Sequence, residues 1–180
     1  SLWSIDLCNE PDWINENDFC GQIEWEKLNK LFAKEAAAIH ENSDILVTLG
    51  FAMIKYTSKK YEAHYGSDSY LKELISNPKA FYDFDSPHFY EWEAEWFGFP
   101  FDTTPLKFGL DGIKPAVIGE FPATGFTTNT KGSKKMSGSE CYINAFKSGW
   151  NGLMAWTSNG VDVNGKLSDF AEGAQEVAGK

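Results

Sequence analysis

Two carboxylates stand at the ends of apolar runs in this sequence. Glu10 follows the run "IDLCN" and precedes Pro11, and Glu120 lies in "VIGEF". If both runs are strands of one parallel sheet, their carboxyl ends lie at the same edge, so Glu10 and Glu120 are predicted to converge. Two carboxylates facing a cleft can hydrolyse a glycosidic bond, because one protonates the leaving oxygen and the other attacks or activates water.

Other polar groups occur at the same strand ends. The amide of Asn9 can hydrogen-bond a sugar hydroxyl, and Tyr90 can orient a neighbouring carboxylate. His88 is equally compatible with a structural, hydrogen-bonded role. A single Glu after a strand is usually a solvated loop residue, so the prediction depends on the combination.

Aromatic residues make up 16% of the chain, a surplus that is compatible with carbohydrate binding. Aromatic rings stack on the apolar faces of sugars. The residues predicted to do so are Trp13, Trp92, Trp96, Phe126 and Trp156. Trp92 and Trp96 are also four positions apart, so packing against each other on one helical turn is the alternative.

The elements that must position these residues alternate between strands and helices. Strands are predicted at residues 3–8, 44–53, within 81–92 with its end near 86–90, at 115–121 and at 152–158. Helices are predicted at 23–42, 69–76, 137–149 and 168–178. Ser137 and Glu140 have the spacing of a capping box, and Gly149 stands where that helix should end. This order predicts an α/β fold with a parallel sheet, either an open doubly wound sheet or part of a (β/α)8 barrel.

Composition excludes several other classes of function. The net charge of -10 and a pI near 4.7 argue against nucleic acid and anionic membrane surfaces as partners. No apolar stretch approaches the roughly 18 residues of a membrane span. The three cysteines, Cys8, Cys20 and Cys141, match neither a metal site nor a disulfide framework. A phosphate-binding glycine loop and a GxSxG elbow are also absent from the sequence.

Four segments together resemble a known family. The stretches "IDLCNEP", "SPHFY", "VIGEF" and "GLMAWTS" resemble strands four, six, seven and eight of the clan A glycoside hydrolase barrels, most closely family 5, which includes cellulases and β-mannanases. The resemblance covers nearly the whole chain in the right order. It implies a (β/α)8 TIM barrel of which residues 1–180 form the C-terminal portion, roughly strands 4 to 8.

The resemblance also implies a reaction and a role for each site residue. The reaction is retaining endo-hydrolysis of a β-1,4-linked plant polysaccharide such as mannan or glucan, with no cofactor and no metal. Glu10 matches the acid/base, Glu120 the nucleophile and Asn9 the amide that touches the sugar 2-hydroxyl. His88 and Tyr90 match the supporting pair, and Trp156 matches the aromatic floor beside the cleaved bond.

The chain departs from the family pattern at its beginning, which matches the fourth strand. We therefore expect the first three βα units on an upstream segment or on a second chain. The family implies a secreted or extracellular protein, although no signal peptide is visible. Two alternatives remain at this stage: a non-catalytic half-barrel that binds carbohydrate or another partner, and an unrelated open α/β fold.

Overall fold

The computed structural model describes residues 2–61, 64–127 and 130–179, and the chain divides into two compact units. The first unit comprises Ser1–Pro87 and Ile113–Pro115, and the second comprises His88–Gly112 and Ala116–Lys180. Residues 128 and 129 lie outside the described residues, between the fourth predicted strand and the helix predicted at 137–149. Each unit is built around its own parallel strand pairing and is described separately below.

The first unit alternates strands and helices. Its elements are β1 (Ser4–Asn9), α1 (Asp12–Glu16), α2 (Trp25–Asn42), β2 (Leu46–Phe51), α3 (Asp68–Ile75) and β3 (Ser86–Pro87), with 3-10 turns at Asp18–Cys20 and Ile54–Tyr56. Trp25, Leu28, Phe32 and Ala36 recur at helical spacing in α2, and all four side chains are buried. β2 is buried along nearly its whole length, as a strand covered on both faces should be.

The sheet of the first unit has the order β1-β2-β3, and both pairings are parallel. The β1–β2 register begins at Ser4 opposite Leu46 and shifts between Asp6 and Asn9. In that interval the Asp6 carboxylate accepts a hydrogen bond from the Gly50 amide at 2.9 Å. The side chain therefore satisfies a backbone donor at the irregularity, just before the strand reaches Glu10.

The second unit follows the same alternation with shorter helices at its start. Its elements are α4 (Ala94–Phe97), α5 (Pro105–Phe108), β4 (Val117–Pro122), β5 (Gly125–Phe126), β6 (Met136–Ser137), α6 (Gly138–Lys147), β7 (Gly152–Trp156) and α7 (Ala171–Val177), with 3-10 turns at Glu91–Glu93, Pro100–Asp102 and Leu167–Asp169. β4 pairs in parallel with β7, and β5 pairs antiparallel with β6. Gly125 has a φ of 73° and approaches Met136 so closely that a Cβ would lie 2.2 Å from its carbonyl oxygen.

Phenylalanine rings form the core of the second unit. Phe89 makes edge-to-face contacts with Phe99, Phe101, Phe108 and Phe126, with ring centroids 5.6 to 6.3 Å apart. Phe126 is 3% exposed. The prediction that Phe126 stacks on a sugar is therefore wrong, because its ring is enclosed by other aromatic rings. Part of the high aromatic content of the chain therefore belongs to the hydrophobic core of the second unit.

Helix α6 begins as its sequence predicts. The Ser137 hydroxyl accepts from the Glu140 amide, and the Glu140 carboxylate accepts from the Ser137 amide at 2.7 Å, which completes the capping box. The helix ends at Lys147, and Gly149 has a φ of 94° just beyond it. Such a positive φ suits glycine, so the predicted end of the helix is also confirmed.

The sequence-based elements are therefore confirmed in order and type. Each of the five predicted strands contains an observed parallel strand, although the third is limited to the two residues of β3. The short helices α1, α4 and α5 and the β5–β6 pair were not predicted. Among the described residues, no helix has both the length and the apolar composition needed to cross a bilayer.

Candidate active site

Glu10 lies at the end of β1 on a strained backbone. Its φ is 51°, in the left-handed region that residues with a Cβ rarely occupy. Such a conformation costs on the order of 1 kcal/mol and persists only when its surroundings enforce it. The Glu10 amide donates to the Gly50 carbonyl at 2.8 Å, and the Trp13 amide donates to the Glu10 carbonyl at 3.2 Å. The residue is therefore held from both sides by backbone hydrogen bonds.

The side chain of Glu10 is held by Trp13. The indole Nε1 of Trp13 donates to the Glu10 Oε2 at 2.8 Å. Asn9, immediately before Glu10, is exposed at the end of the strand. On the solvent side of α1 lies an open cavity of about 340 Å³ that is lined by Trp13, Glu16, Asn17, Asp18 and Phe19. Trp13 thus contacts the Glu10 carboxylate and also lines a cavity large enough for a sugar ring.

Asp12 connects this turn to the end of β2. Its side chain is fully buried, and its two carboxylate oxygens accept from the amides of Ala52 at 2.9 Å and Met53 at 3.1 Å. Burial raises the pKa of Asp12 to about 7, although the backbone amides act in the opposite direction. This residue was not predicted from the sequence, because an Asp in a turn is usually exposed.

Glu120 lies in β4, where the structure brings together three of the predicted site residues. Its Oε1 accepts a hydrogen bond from the Tyr90 hydroxyl, and its Oε2 lies 3.8 Å from Nδ1 of His88. The backbone adds a parallel bridge between His88 and Glu120, and the Phe89 amide donates to the Glu120 carbonyl at 2.8 Å. A carboxylate fixed by a phenol hydroxyl is well oriented for nucleophilic attack.

His88 and Tyr90 are themselves fixed by the second unit. His88 is 2% exposed, so it supports Glu120 from within the protein rather than from the solvent side. The Tyr90 amide donates to the carboxylate of Glu93 at 2.8 Å, and Glu93 is fully buried. Both members of the predicted supporting pair therefore contact Glu120. Its predicted convergence with Glu10 stays a prediction, because the two residues belong to different units.

Trp156 is the last residue of β7 and is 45% exposed. Its indole Nε1 donates to the Asp162 carboxylate at 2.8 Å, and the same carboxylate accepts from the Asn164 amide at 2.8 Å. These two hydrogen bonds lower the pKa of Asp162, the Asn164 amide contributing most. The Trp156 ring is therefore oriented and still exposed enough to stack on a sugar. Asp162 is a second residue that the sequence did not indicate.

Trp92 and Trp96 remain exposed at the start of the second unit. Trp92 lies in the 3-10 turn at Glu91–Glu93, and Trp96 lies in α4. Exposed indole rings are available for stacking, and this is consistent with their predicted role. Their contact with substrate stays a prediction.

Comparison with family models and with curated proteins finds no match for this chain. The solved structures do include similar folds. The chain matches an endo-1,4-β-mannanase from Eisenia fetida with a TM-score of 0.75 and 22% identity, over 99% of this chain and 50% of that one. It matches a β-1,4-mannanase from the sea hare Aplysia kurodai with a TM-score of 0.67 and 22% identity, over 85% and 48% of the two chains. A β-mannanase from the blue mussel Mytilus edulis gives a TM-score of 0.63 and 23% identity, over 91% and 47%.

These similarities establish the fold. The chain is part of a (β/α) barrel, as predicted, and not an open doubly wound sheet. It spans about half the length of the solved structures that it matches. At this level of identity the comparisons carry the architecture alone, and the chemistry must be argued from the residues of this chain.

Proposed function

We propose that this chain carries the catalytic residues of a retaining endo-β-1,4-glycanase of glycoside hydrolase family 5. The observation that supports this most directly is the Glu120 cluster. The carboxylate of Glu120, in the second half of β4, accepts a hydrogen bond from Tyr90 and lies beside the buried His88. Active sites of such barrels lie at the carboxyl ends of the strands.

The proposed reaction uses two carboxylates in two steps. In the first step Glu120 attacks the anomeric carbon while Glu10 gives its proton to the bridging oxygen, and the bond between that carbon and oxygen breaks. In the second step Glu10 takes a proton from water, whose oxygen attacks the same carbon and releases Glu120. The product keeps its anomeric configuration because the carbon is inverted twice.

The remaining site residues bind the sugar in this proposal. Asn9, beside Glu10, donates to the 2-hydroxyl of the sugar in the cleaved position. Trp156 supplies the aromatic floor under that sugar, held by Asp162. Trp13, Trp92 and Trp96 offer further rings for neighbouring sugars. Phe126 is no longer part of the set, because its ring is buried.

Mannan is the proposed polysaccharide, with cellulose as the second substrate to test. The solved structures with similar folds are described as β-mannanases, and this supports the choice of mannan. Since plant polysaccharides are too large to enter a cell, we also propose that the protein is secreted, as the family resemblance implies.

We further propose that the active barrel includes βα units beyond this chain. The chain spans about half the length of the structures it matches, which supports a further half outside it, and the family resemblance places that half before strand four. That half would lie on an upstream segment or on a second chain. The alternative is a half-barrel that binds mannan without cleaving it. The experiment below separates the two functions.

Covalent trapping tests the nucleophile. A 2-deoxy-2-fluoro mannobioside with a dinitrophenolate leaving group is incubated with the chain alone and with a form that includes upstream βα units. We expect one adduct on the peptide that contains Glu120, and none in Glu120→Gln. Glu172→Gln, an exposed carboxylate change in α7, is the control and should label normally. A protein that binds mannan in both forms yet never forms the adduct is a binding module.

Leaving-group dependence tests the acid/base. Glu10→Gln should still be labelled by the dinitrophenyl reagent, because this leaving group departs without protonation. The same variant should lose hydrolysis of mannan. Near-native turnover of mannan by Glu10→Gln would contradict the assigned role.

A further inference from the structure

Asp12 is a buried carboxylate for which the proposed reaction has no use. It lies two residues after Glu10, at the first position of α1, and it is fully buried. Burying a carboxylate is costly unless hydrogen bonds compensate. Its two oxygens each accept one backbone amide hydrogen, from Ala52 and Met53, immediately after β2 ends. Asp12 therefore joins two segments that are far apart in the sequence.

The segment that Asp12 holds is the one that determines the orientation of Glu10. Glu10 has a left-handed backbone, which the surrounding structure must enforce. Its amide is bonded to the Gly50 carbonyl in β2, so the first side of the turn is fixed to that strand. The Asp12 carboxylate fixes the other side of the turn to the residues that follow the same strand.

Trp13 carries this restraint to the Glu10 side chain. It follows Asp12 directly in α1, and its indole donates to the Glu10 carboxylate at 2.8 Å. A displacement of Asp12 moves the backbone of Trp13 and thereby changes the direction of this hydrogen bond. Contacts therefore run from the buried Asp12 along the backbone to Trp13, and from the Trp13 indole to the Glu10 carboxylate.

We propose that Asp12 is a positioning residue for Glu10, acting through the backbone of the turn and through Trp13. The kinetic consequence rests on the proposed function, in which Glu10 is the acid/base. The structural consequence does not: removal of the carboxylate should disturb the contact between Trp13 and Glu10 whether or not the chain is catalytic.

The chain provides a matched control at the other end of β2. The Asp83 carboxylate accepts from the Val47 amide at 2.7 Å, so it also joins a side chain to the backbone of β2 in the first unit. Asp83→Asn alters a carboxylate that accepts from a backbone amide at the beginning of the strand, and it also changes the contact of Asp83 with Nε2 of His40 at 3.0 Å. It should lower stability without affecting the end of the strand at which Glu10 lies.

The structural test is the indole N–H resonance of Trp13 in the ¹⁵N-labelled chain, assigned with Trp13→Phe. In Asp12→Asn we expect this resonance to move most of the way to its position in Glu10→Gln. The amides of Ala52 and Met53 should exchange with solvent about tenfold faster or more, because one carboxylate oxygen is replaced by a donor. Asp83→Asn should leave the Trp13 resonance in place.

The kinetic test uses the form of the protein that is active. It compares hydrolysis of mannan, whose leaving group needs a proton, with labelling by the dinitrophenyl reagent, whose leaving group does not. Asp12→Asn should slow hydrolysis of mannan about 10- to 100-fold, as expected when an acid is displaced, and should label with the dinitrophenyl reagent at nearly the wild-type rate. General damage to the fold would slow both reactions equally. If wild-type protein shows neither reaction, the proposed function fails and the resonance test still decides the role of Asp12.

A second variant applies if Asp12→Asn does not fold. Asp12→Glu keeps both acceptor oxygens on a longer side chain, and we expect an intermediate shift of the Trp13 resonance. The proposal is overturned if a folded Asp12 variant has faster exchange at Ala52 and Met53 but an unchanged Trp13 resonance. If Asp12→Asn slowed mannan hydrolysis and dinitrophenyl labelling equally, Asp12 would have only a structural role.

Discussion

At the scale of single residues, the Tyr90 hydroxyl and the Glu120 carboxylate form the contact on which the proposed nucleophile depends. The phenol hydroxyl fixes one carboxylate oxygen by a hydrogen bond. Because the carboxylate is planar, this also limits the direction of the other oxygen. His88 lies beside that second oxygen. Glu120 is therefore constrained on both oxygens by residues of its own unit, and each constraint can be removed separately.

Tyr90→Phe removes the hydroxyl and keeps the ring. A hydrogen bond to a charged group contributes about 1.5 to 3 kcal/mol, so we expect the rate of covalent labelling at Glu120 to fall about 10- to 100-fold. The measurement is the labelling rate with the 2-fluoro reagent. Tyr142→Phe is the matched control, because the Tyr142 hydroxyl donates to the Leu153 carbonyl and does not contact Glu120 in any described bond. Equal rates in wild type and Tyr90→Phe would show that the hydroxyl does not assist Glu120.

The residue scale is also where sequence reasoning was least complete. An aromatic residue looks the same in a sequence whether it packs in a core or stacks on a sugar. Phe126 was therefore placed incorrectly, whereas Trp156 is exposed and its stacking on a sugar stays a prediction. The role of Asp12 depends on Ala52 and Met53, which are distant in the sequence. No local pattern contains that information.

At the scale of elements, α1 carries a titrating group that affects stability. The pKa of Asp12 is raised to about 7 in the folded chain, chiefly by burial, whereas an unfolded Asp titrates near 4. Between about pH 4 and 7 the folded chain holds a proton that the unfolded chain has released. The contribution of Asp12 to the free energy of unfolding therefore decreases as the pH rises through this window.

Urea unfolding of wild type and Asp12→Asn at several pH values checks this dependence. The difference in unfolding free energy between the two should change by up to about 1.4 kcal/mol per pH unit between pH 4 and 7, wild type losing stability as the pH rises. Outside that window the difference should be constant. A difference that stays constant throughout would mean that Asp12 titrates normally.

Helix α6 offers a test of the capping box. Ser137→Ala removes the acceptor for the Glu140 amide, and we expect the free energy of unfolding to fall by about 1 kcal/mol. Ser137→Thr retains the hydroxyl and should lose much less. Chemical denaturation at neutral pH measures both. A neutral Ser137→Ala would indicate that β6, which contains Ser137, holds the helix start without the cap.

Elements were predicted better than residues because their signals are local. The spacing of Ser137 and Glu140 indicates a helix start, and the apolar run of β2 indicates a buried strand. The short helix α1 was not predicted, since five residues after a proline give too little periodicity to recognise. The β5–β6 pair depends on the close approach of Gly125 to Met136, which is a tertiary contact.

At the scale of the whole molecule, the chain corresponds to about half of the barrels that it resembles. In the described part of the first unit, β2 is the only strand paired with β1. Every second amide of an edge strand faces away from its partner and is open to another strand. Leu2 and Trp3, just before β1, are also exposed. The proposal that further βα units complete the barrel predicts that the open edge of β1 becomes paired.

Hydrogen exchange of β1 tests that completion. In the chain alone, we expect alternate amides of Ser4–Asn9 to exchange rapidly with solvent. When upstream βα units are present, the same amides should exchange about tenfold more slowly or slower still. The amides of β2, already paired, serve as the internal reference. If the exchange rates in β1 did not change, the additional βα units would not pair with this strand.

The three thiols of the chain differ in their exposure to solvent, and the exposed one, Cys20, allows a fluorophore to be attached close to α1. Cys141 is buried and Cys8 is partly buried, and burial raises the pKa of both. Cys20 is exposed in the 3-10 turn, directly after Phe19, which lines the cavity beside α1. A thiol-reactive fluorophore should therefore attach first at Cys20. The sequence therefore carries a reporter position next to a residue that lines the cavity, and a chain labelled there allows an optical test of whether the cavity binds a sugar, without an introduced cysteine.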